Sequence, residues 1–348
     1  MSWSRGQLAY VVAQPLDGGR FEVLKHGVQE QGADSPEDFV RRLQGLGLKG
    51  LETRIMLRPE QYQLLQIDAP AVAPEELRAA ARYQIKELLD THVDDVTLDV
   101  MRVGDGQQKS AGQLFVVAAA NSLLRGVLDL AAQMHWTVEV IDIQDNAQRN
   151  LQTLLASQDG GRTDRATAAL VMADSGQALL TISASEELFY SRRLDLPDGF
   201  FDGGWRQEDG EEDPFASSFT PVQEYVPDYS VGGASHGADY SRPAHGLDDA
   251  ASAGWGEGEK AQRFVVEVQR SLDVWSRTWS TMPLYGVRVF AGTRSAEMAA
   301  WLEPRLGHTV MSMDFGDFFP GFDGGELGST AFCMPLLGVF LRSETRKL

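Results

Sequence analysis

The residues best placed to do chemistry are Asp174, Ser175 and Gly176, which separate an apolar run, Leu170 to Ala173, from a β-rich run, Ala178 to Ser183. A carboxylate at a strand end can position a magnesium-bound water against a phosphate. A glycine beside it lets backbone N–H groups approach the anion. An ordinary hairpin turn uses the same residue types, and on the motif alone that is the simpler reading. A second stretch, Val289-Phe290-Ala291-Gly292-Thr293, reads as a strand ending in a glycine that can admit a base or a sugar.

Other chemistries find little support. The six histidines are dispersed, with no H-E-x-x-H and no Cys/His cluster, so a zinc site is not expected. No G-x-x-x-x-G-K-[S/T] phosphate loop occurs. Gly233-Ala234-Ser235-His236-Gly237 matches the G-x-S-x-G pattern of serine hydrolases. It lies in a low-complexity stretch without the strand and helix that would strain the serine into position, so chance explains it. Net charge is −19, which disfavours nucleic acid and direct membrane contact. Residues 202–260 hold 13 acidic against three basic residues, about half of that charge. A single cysteine, Cys333, fits a reducing compartment, and the chain lacks a secretion signal or a membrane-length apolar run, so a cytoplasmic location is expected.

The elements that must position these residues follow from periodicity. The 348 residues suffice for two domains. A hairpin is expected over Leu8 to Ala13 and Arg20 to Val28, and Ser35-Pro36 should open a short helix. Strands are expected at Arg54 to Leu57 and Gln61 to Ile67. A helix begins at Pro74 with Leu77, Ala81, Ile85 and Leu88 on one face and Tyr83 off that stripe. Two more strands, Val96 to Val103 and Gln113 to Ala120, precede a helix capped by Asn121. A strand at Thr137 to Ile143 leads to a helix capped by Asp145. The second hairpin begins at Ala168. Residues 197–258 read as a disordered insertion. Phe264, Val268, Leu272, Trp275 and Trp279 then form a helical stripe, and Thr330 to Arg342 closes the chain as a helix whose Pro335 must sit early.

In that order the chain resembles the actin-like inner-membrane platform proteins of type IV pilus systems, the PilM group. The resemblance is carried by Ile67-Asp68-Ala69-Pro70 running into Tyr83-Gln84-Ile85-Lys86-Glu87-Leu88, by Val140-Ile141-Asp142-Ile143-Gln144-Asp145-Asn146, and by Val266-Glu267-Val268-Gln269-Arg270-Ser271-Leu272. It implies an α/β, actin-like (ribonuclease H-like) two-lobed fold. Lobe 1 would span 1–165, with an inserted subdomain at about 54–136, and would be completed by a helix in 328–348. Lobe 2 would span 166–327 and carry the acidic insertion at about 198–258. It also implies a scaffold, peripheral at the inner face of the inner membrane. Its partner would be a PilN-like single-pass membrane protein, whose cytoplasmic tail would meet Tyr83, Ile85 and Leu88. Other platform components and a homodimer are further implied partners.

For the cofactor, the resemblance implies either none or ATP/ADP with magnesium, held by Asp174, Gly176, Glu267, Arg270 and Gly292. ATP-binding members open with a strand and an Asp-x-Gly-Ser/Thr turn. Here the strand Leu8 to Ala13 runs into Gln14-Pro15-Leu16, where proline removes a backbone donor. No catalytic residue and no protein-held metal is therefore expected. The alternative is an active ATPase or nucleotide-dependent switch using Asp174.

Overall fold

A three-residue strand opens the chain. The computed structural model describes residues 1–103, 112–160, 165–173, 176–201, 205, 238–239, 257–324 and 330–342. β1 (Ser2–Ser4) runs into Arg5 and Gly6, both at positive φ (50° and 73°), the backbone of a two-residue hairpin loop. β2 (Gln7–Pro15) returns antiparallel to β1, and β3 (Phe21–Glu30) pairs with the far side of β2. α1 (Pro36–Gly45) starts where Ser35 accepts the Asp38 amide and proline takes the first turn. β4 (Glu52–Leu57) then runs beside β1. The Met1 amine donates to Arg54 O at 2.7 Å and the Met56 amide donates to Met1 O at 2.8 Å.

Between β4 and its next partner comes an inserted unit. β5 (Gln63–Asp68), α2 (Leu77–Ile85), β6 (Val96–Val103) and β7 (Gln113–Ala120) form it, with β7 central. Leu77, Ala81 and Ile85 of α2 cover one face of this sheet, packing on Leu65, Ile67, Leu114 and Val116. α3 (Asn121–Gln133) returns the chain to the first sheet, where Val127, Leu130 and Met134 share a core with Leu8, Tyr10, Phe39 and Ile55. β8 (Thr137–Ile143) pairs parallel with β4 as a two-stranded sheet, which the two Met1 backbone bonds set against the edge strand β1 of the three-stranded sheet β3-β2-β1. α4 (Gln144–Gln158) crosses to the second half.

The second half repeats that topology. β9 (Ala166–Met172), β10 (Gln177–Ala184) and β11 (Glu187–Asp195) form an antiparallel meander. β12 (Ala238–Asp239) pairs with the edge of β5. α5 (Glu257–Thr278), β13 (Leu284–Phe290), α6 (Ser295–Leu306) and β14 (Val310–Ser312) follow, and the sheet runs β11-β10-β9-β13-β14 with its last two pairings parallel. α7 (Met334–Phe340) then crosses back onto α4 and β4, with Pro335 in its first turn. Each half therefore lends a helix to the other. Gln148 and Gln152, one turn apart on α4, donate into the second sheet at Ala169 O (2.9 Å) and Thr167 O (2.7 Å).

Two helix starts differ from expectation. Ala120 and Ile143, not Asn121 and Asp145, are the capping positions, and neither helix has a side-chain cap. Asn121 instead accepts from Thr97 at 2.7 Å and donates to Asp94 O, while Asp145 is drawn into a buried cluster described below. Most of the insertion expected at 198–258 lies outside the described residues. Phe200 and Trp205 within it are buried in the core of the second half.

Cys333 donates its thiol toward Gly27 O and Tyr10 O at 3.4 and 3.5 Å, and burial pushes its pKa up to about 11. The folded chain thus holds this proton where an unfolded chain releases it. Stability contributed by the thiol is intact below about pH 9 and falls as pH rises toward 11, by about 2–3 kcal/mol in full. Denaturant titrations at pH 8 and pH 10.5 should show a larger loss in the native chain than in Cys333→Ser. Equal losses would place the alkaline sensitivity elsewhere.

Candidate functional site

The resemblance implies that a nucleotide would meet the chain at the turn after the first strand of each half and at the loop after the fourth strand of the second. In the second half the first turn is Ala173 to Gln177. Asp174 and Ser175 lie outside the described residues. Gly176 is exposed, and its carbonyl accepts the Leu196 amide at 2.9 Å.

In the first half the corresponding turn is Ser4-Arg5-Gly6-Gln7, one strand earlier than the Gln14-Pro15-Leu16 turn expected from sequence. β1 is too short to show an alternating pattern, and β2 carried the visible one. Gly6 keeps the glycine of an Asp-x-Gly turn, while Ser4 stands in the acidic position and Gln7 in that of Ser/Thr. The turn is also occupied by its own surroundings. Ser4 Oγ donates to Glu60 at 2.6 Å, and Arg58 donates to Gln7 at 2.7 Å and to Ser2 at 3.0 Å. The Gly6 carbonyl accepts the Gln31 amide at 2.7 Å. A loop that cradles phosphate needs free N–H groups aimed at the anion, and a two-residue turn presents few.

Glu267 and Arg270 sit on α5, whose stripe Phe264, Val268, Leu272 and Trp275 is buried as expected. The Glu267 carboxylate is 13% exposed, and both of its oxygens are taken. Arg192 from β11 donates to one at 2.7 Å and also reaches Ser271 Oγ at 2.9 Å, while Arg270 donates to the other at 2.5 Å.

Gly292 ends β13 at φ 57°. Ser295 locks the loop by accepting the Ala291 amide at 2.9 Å and donating to Gly292 O at 2.6 Å. Arg294 holds Glu297 through two bonds of 2.8 and 2.9 Å, donates to Phe201 O, and lays its guanidinium over the Trp205 ring at 4.0 Å. Sequence reasoning missed Arg294, Phe200 and Trp205, because the two aromatics are isolated in a Gly- and Asp-rich stretch with no periodicity.

The three expected partner contacts separate. Tyr83 is 73% exposed with Lys86 4.8 Å from its ring, Leu88 is half-buried, and Ile85 is fully buried under the inserted sheet. The other face of that sheet packs on the second half, where Leu64, Phe115 and Ala119 join Leu170, Leu180 and Tyr190 in one core. Tyr62 of the insert and Ser191 of β11 both donate to Asp145 of α4, and Arg193 donates to Tyr62 O at 3.0 Å. Burial first, and the Asp145 charge second, raise the Tyr62 pKa well above its ordinary value.

Gly45, Gly47 and Gly50 also fall at G-x-G-x-x-G spacing. They follow a helix and precede a strand, the reverse of a dinucleotide-binding turn. The Gly233 to Gly237 pattern lies outside the described residues. Among the described residues no group of His, Cys, Asp and Glu could hold a metal, and no helix is long and apolar enough to cross a membrane.

A five-stranded sheet of order 3-2-1-4-5 in the second half, a three-stranded and a two-stranded sheet set side by side in the same succession in the first, crossing helices and an inserted unit make an actin-like fold. Among solved structures, the chain is similar to one described as "PilM-PilN type IV pilus biogenesis complex". The identity is 15% and the TM-score 0.61, over 98% of this chain and 96% of that one. It is also similar to a protein of Bacteroides thetaiotaomicron with an actin-like ATPase fold and unknown function (6%, TM-score 0.45, 98% and 94%). A third is the cytoplasmic domain of EpsL, an inner-membrane component of the type II secretion system of Vibrio cholerae (15%, TM-score 0.38, 61% and 76%). No family model matches the chain, and no curated protein matches it.

Proposed function

We propose that the protein is a scaffold of a type IV pilus assembly platform. It binds the cytoplasmic N-terminal tail of a PilN-like inner-membrane protein and does not turn over nucleotide. The observation that supports it most is the likeness along nearly the whole chain to a structure of the PilM-PilN complex. The turn at Arg5-Gly6 supports the non-catalytic half of the reading, since donors aimed at developing charge are the largest catalytic contribution and this turn offers few. The finer assignment is to the mannose-sensitive haemagglutinin type of pilus and its protein MshI. It rests on the sequence resemblance, as do the cytoplasmic location and the further platform partners.

We draw the inserted subdomain at 62–120, inside the 54–136 of the sequence, because β4 and α3 pack with the first hairpin. Tyr83 is the residue on it proposed to meet the tail. A nucleotide-dependent switch using Asp174 is the second reading, motivated by the residue types at Glu267 on α5 and at Gly292 after β13.

Calorimetry of the tail peptide from the adjacent single-pass membrane protein, with and without Mg-ATP, separates them. Micromolar binding indifferent to Mg-ATP is the expected result, about −8 kcal/mol. Absence of peptide binding would overturn the scaffold reading. Steady ATP hydrolysis that disappears in Asp174→Ala would favour the second.

A further inference from the structure

We propose that the outer edge of β5 is a self-association edge, closed in the single chain by its own strand β12, and that release of β12 lets β5 pair antiparallel with β5 of a second copy. The place where β12 lands carries the proposal. In sequence it lies between β11 and α5 of the second half, yet it pairs with the inserted unit of the first, Ala238 opposite Gln66 and Asp239 opposite Leu65. This edge therefore has the room and the geometry for an antiparallel neighbour.

A strand edge presents N–H and C=O groups that any extended chain can meet, so edges in native proteins are short, charged, bulged or covered. The other outer strands follow that rule. β3 is covered, since the Phe21 and Val23 amides donate to Phe318 O and Pro320 O at 2.9 and 2.8 Å. β14 has three residues, and its Val310 amide donates to Glu303 at 3.4 Å. β8 shifts register against β4 between Thr53 and Arg54. β6 exposes Asp99 and Arg102, and β11 carries Arg192, Arg193 and Asp195.

β5 has none of these devices over its length. Gln63 to Ile67 holds no charged side chain, Leu64, Leu65 and Ile67 are buried, and the one carboxylate, Asp68, stands at the end. β7 pairs with its inner edge from Gln63 to Asp68. On its outer edge, among the described residues, β12 pairs with the two central positions alone. The guard is thus the smaller of the two pairings and the one that can leave without breaking the sheet.

A second copy suits the place that β12 holds. A two-fold axis normal to the sheet can pass through Leu65 or through Gln66, the two residues paired with β12. About Leu65, Leu64 faces Gln66 of the second copy and Gln63 faces Ile67. About Gln66, Leu65 faces Ile67 and Leu64 faces Asp68. Neither register sets like charges opposite each other, so the edge is complementary to itself, as an isologous interface requires.

The inference does not rest on the tail-peptide reading, which uses Tyr83. Sedimentation velocity of the full chain tests it, the native protein against the double variant Ala238→Pro, Asp239→Pro, since proline donates no ladder bond. A guard lowers apparent affinity by the fraction of open molecules, so the double variant should dimerise at least about tenfold more tightly than the native chain. Amide exchange at β5 should also rise in the dilute variant. Adding Gln66→Lys, which puts a charge on the pairing edge, should return it to a monomer. Should that lysine unfold the chain by circular dichroism, Gln63→Lys serves. A double variant that dimerises no more tightly than the native chain, that leaves β5 exchange unchanged, or that fails to fold overturns the guard. A dimer indifferent to the lysine overturns β5 as the edge.

Discussion

Replacing Gly338 with alanine should cost the protein about 3 kcal/mol or more and lower its thermal midpoint by about 4 °C. The reason is the crossing of α4 and α7. A Cβ at position 338 would lie 1.9 Å from Ala147 O, 2.5 Å from its carbonyl carbon and 2.9 Å from its Cα, all backbone atoms of the facing helix. No side chain can rotate away, so the helices themselves must part. Helix propensity argues the other way, because alanine in place of glycine inside a helix is favourable by about 1 kcal/mol. Steric displacement should outweigh it. Parting the helices also stretches the Asn150 bond to Gly338 O (2.9 Å) and the two 3.1 Å bonds by which Arg54 holds Val339 O and Phe340 O. It weakens the Arg342–Asp142 ion pair at 2.8 Å as well. These contacts join the end of the chain to the first half, so the loss should appear as one cooperative shift in a denaturant titration. A Gly338→Ala protein within about 0.5 kcal/mol of the native chain would show that the helices do not cross so closely.

That crossing was only partly legible in the sequence. The closing helix and the early position of Pro335 followed from its ring chemistry, but nothing in Met334 to Phe340 says which glycine faces another backbone. α5 was read nearly to its ends, because burial on one face leaves a repeating signal, whereas the meander β9 to β11 is buried on both faces and was legible only as apolar runs between turn residues, with the start of β9 at Ala166 missed. β1 escaped for the opposite reason. Three residues carry no period, and the shift of one strand moved the presumed phosphate turn from Ser4 to Gln7 out to Gln14 to Leu16. Asp145 looked like a helix cap because its type suits one. Only the meeting of three distant segments shows that its carboxylate is spent on tertiary partners. Phe200 and Trp205 were hidden by composition: two aromatics in an acidic, glycine-rich stretch do not predict their own burial. For the candidate site, sequence supplied only residue types and their elements, Glu267 on α5 and Gly292 just after β13. The site was illegible where loops fill it.

Asp145→Ala should destabilise the protein by about 3–5 kcal/mol, an effect as large as that at Gly338 but of electrostatic origin. The carboxylate is buried and accepts hydroxyl protons from Tyr62 of the insert and Ser191 of β11, while Arg193 donates to Tyr62 O and lies 5.1 Å over its ring. Truncation leaves two buried hydroxyls without their acceptor and a buried guanidinium without the nearby anion. Asp145→Asn keeps the volume and one carbonyl oxygen but loses the charge, so it should cost less, about 2 kcal/mol. The pair Asp145→Ala and Ser191→Ala should be less than additive by about 1 kcal/mol, since each removes the same bond. Additive losses would mean that the two side chains do not touch. Because the three groups come from the insert, the interlobe helix and the second sheet, their loss should raise amide exchange at β5 and β7 before it does so at β9 and β10. This order of opening bears on function. In the proposed scaffold, this buried cluster would hold the insert and the second sheet against each other as one rigid surface.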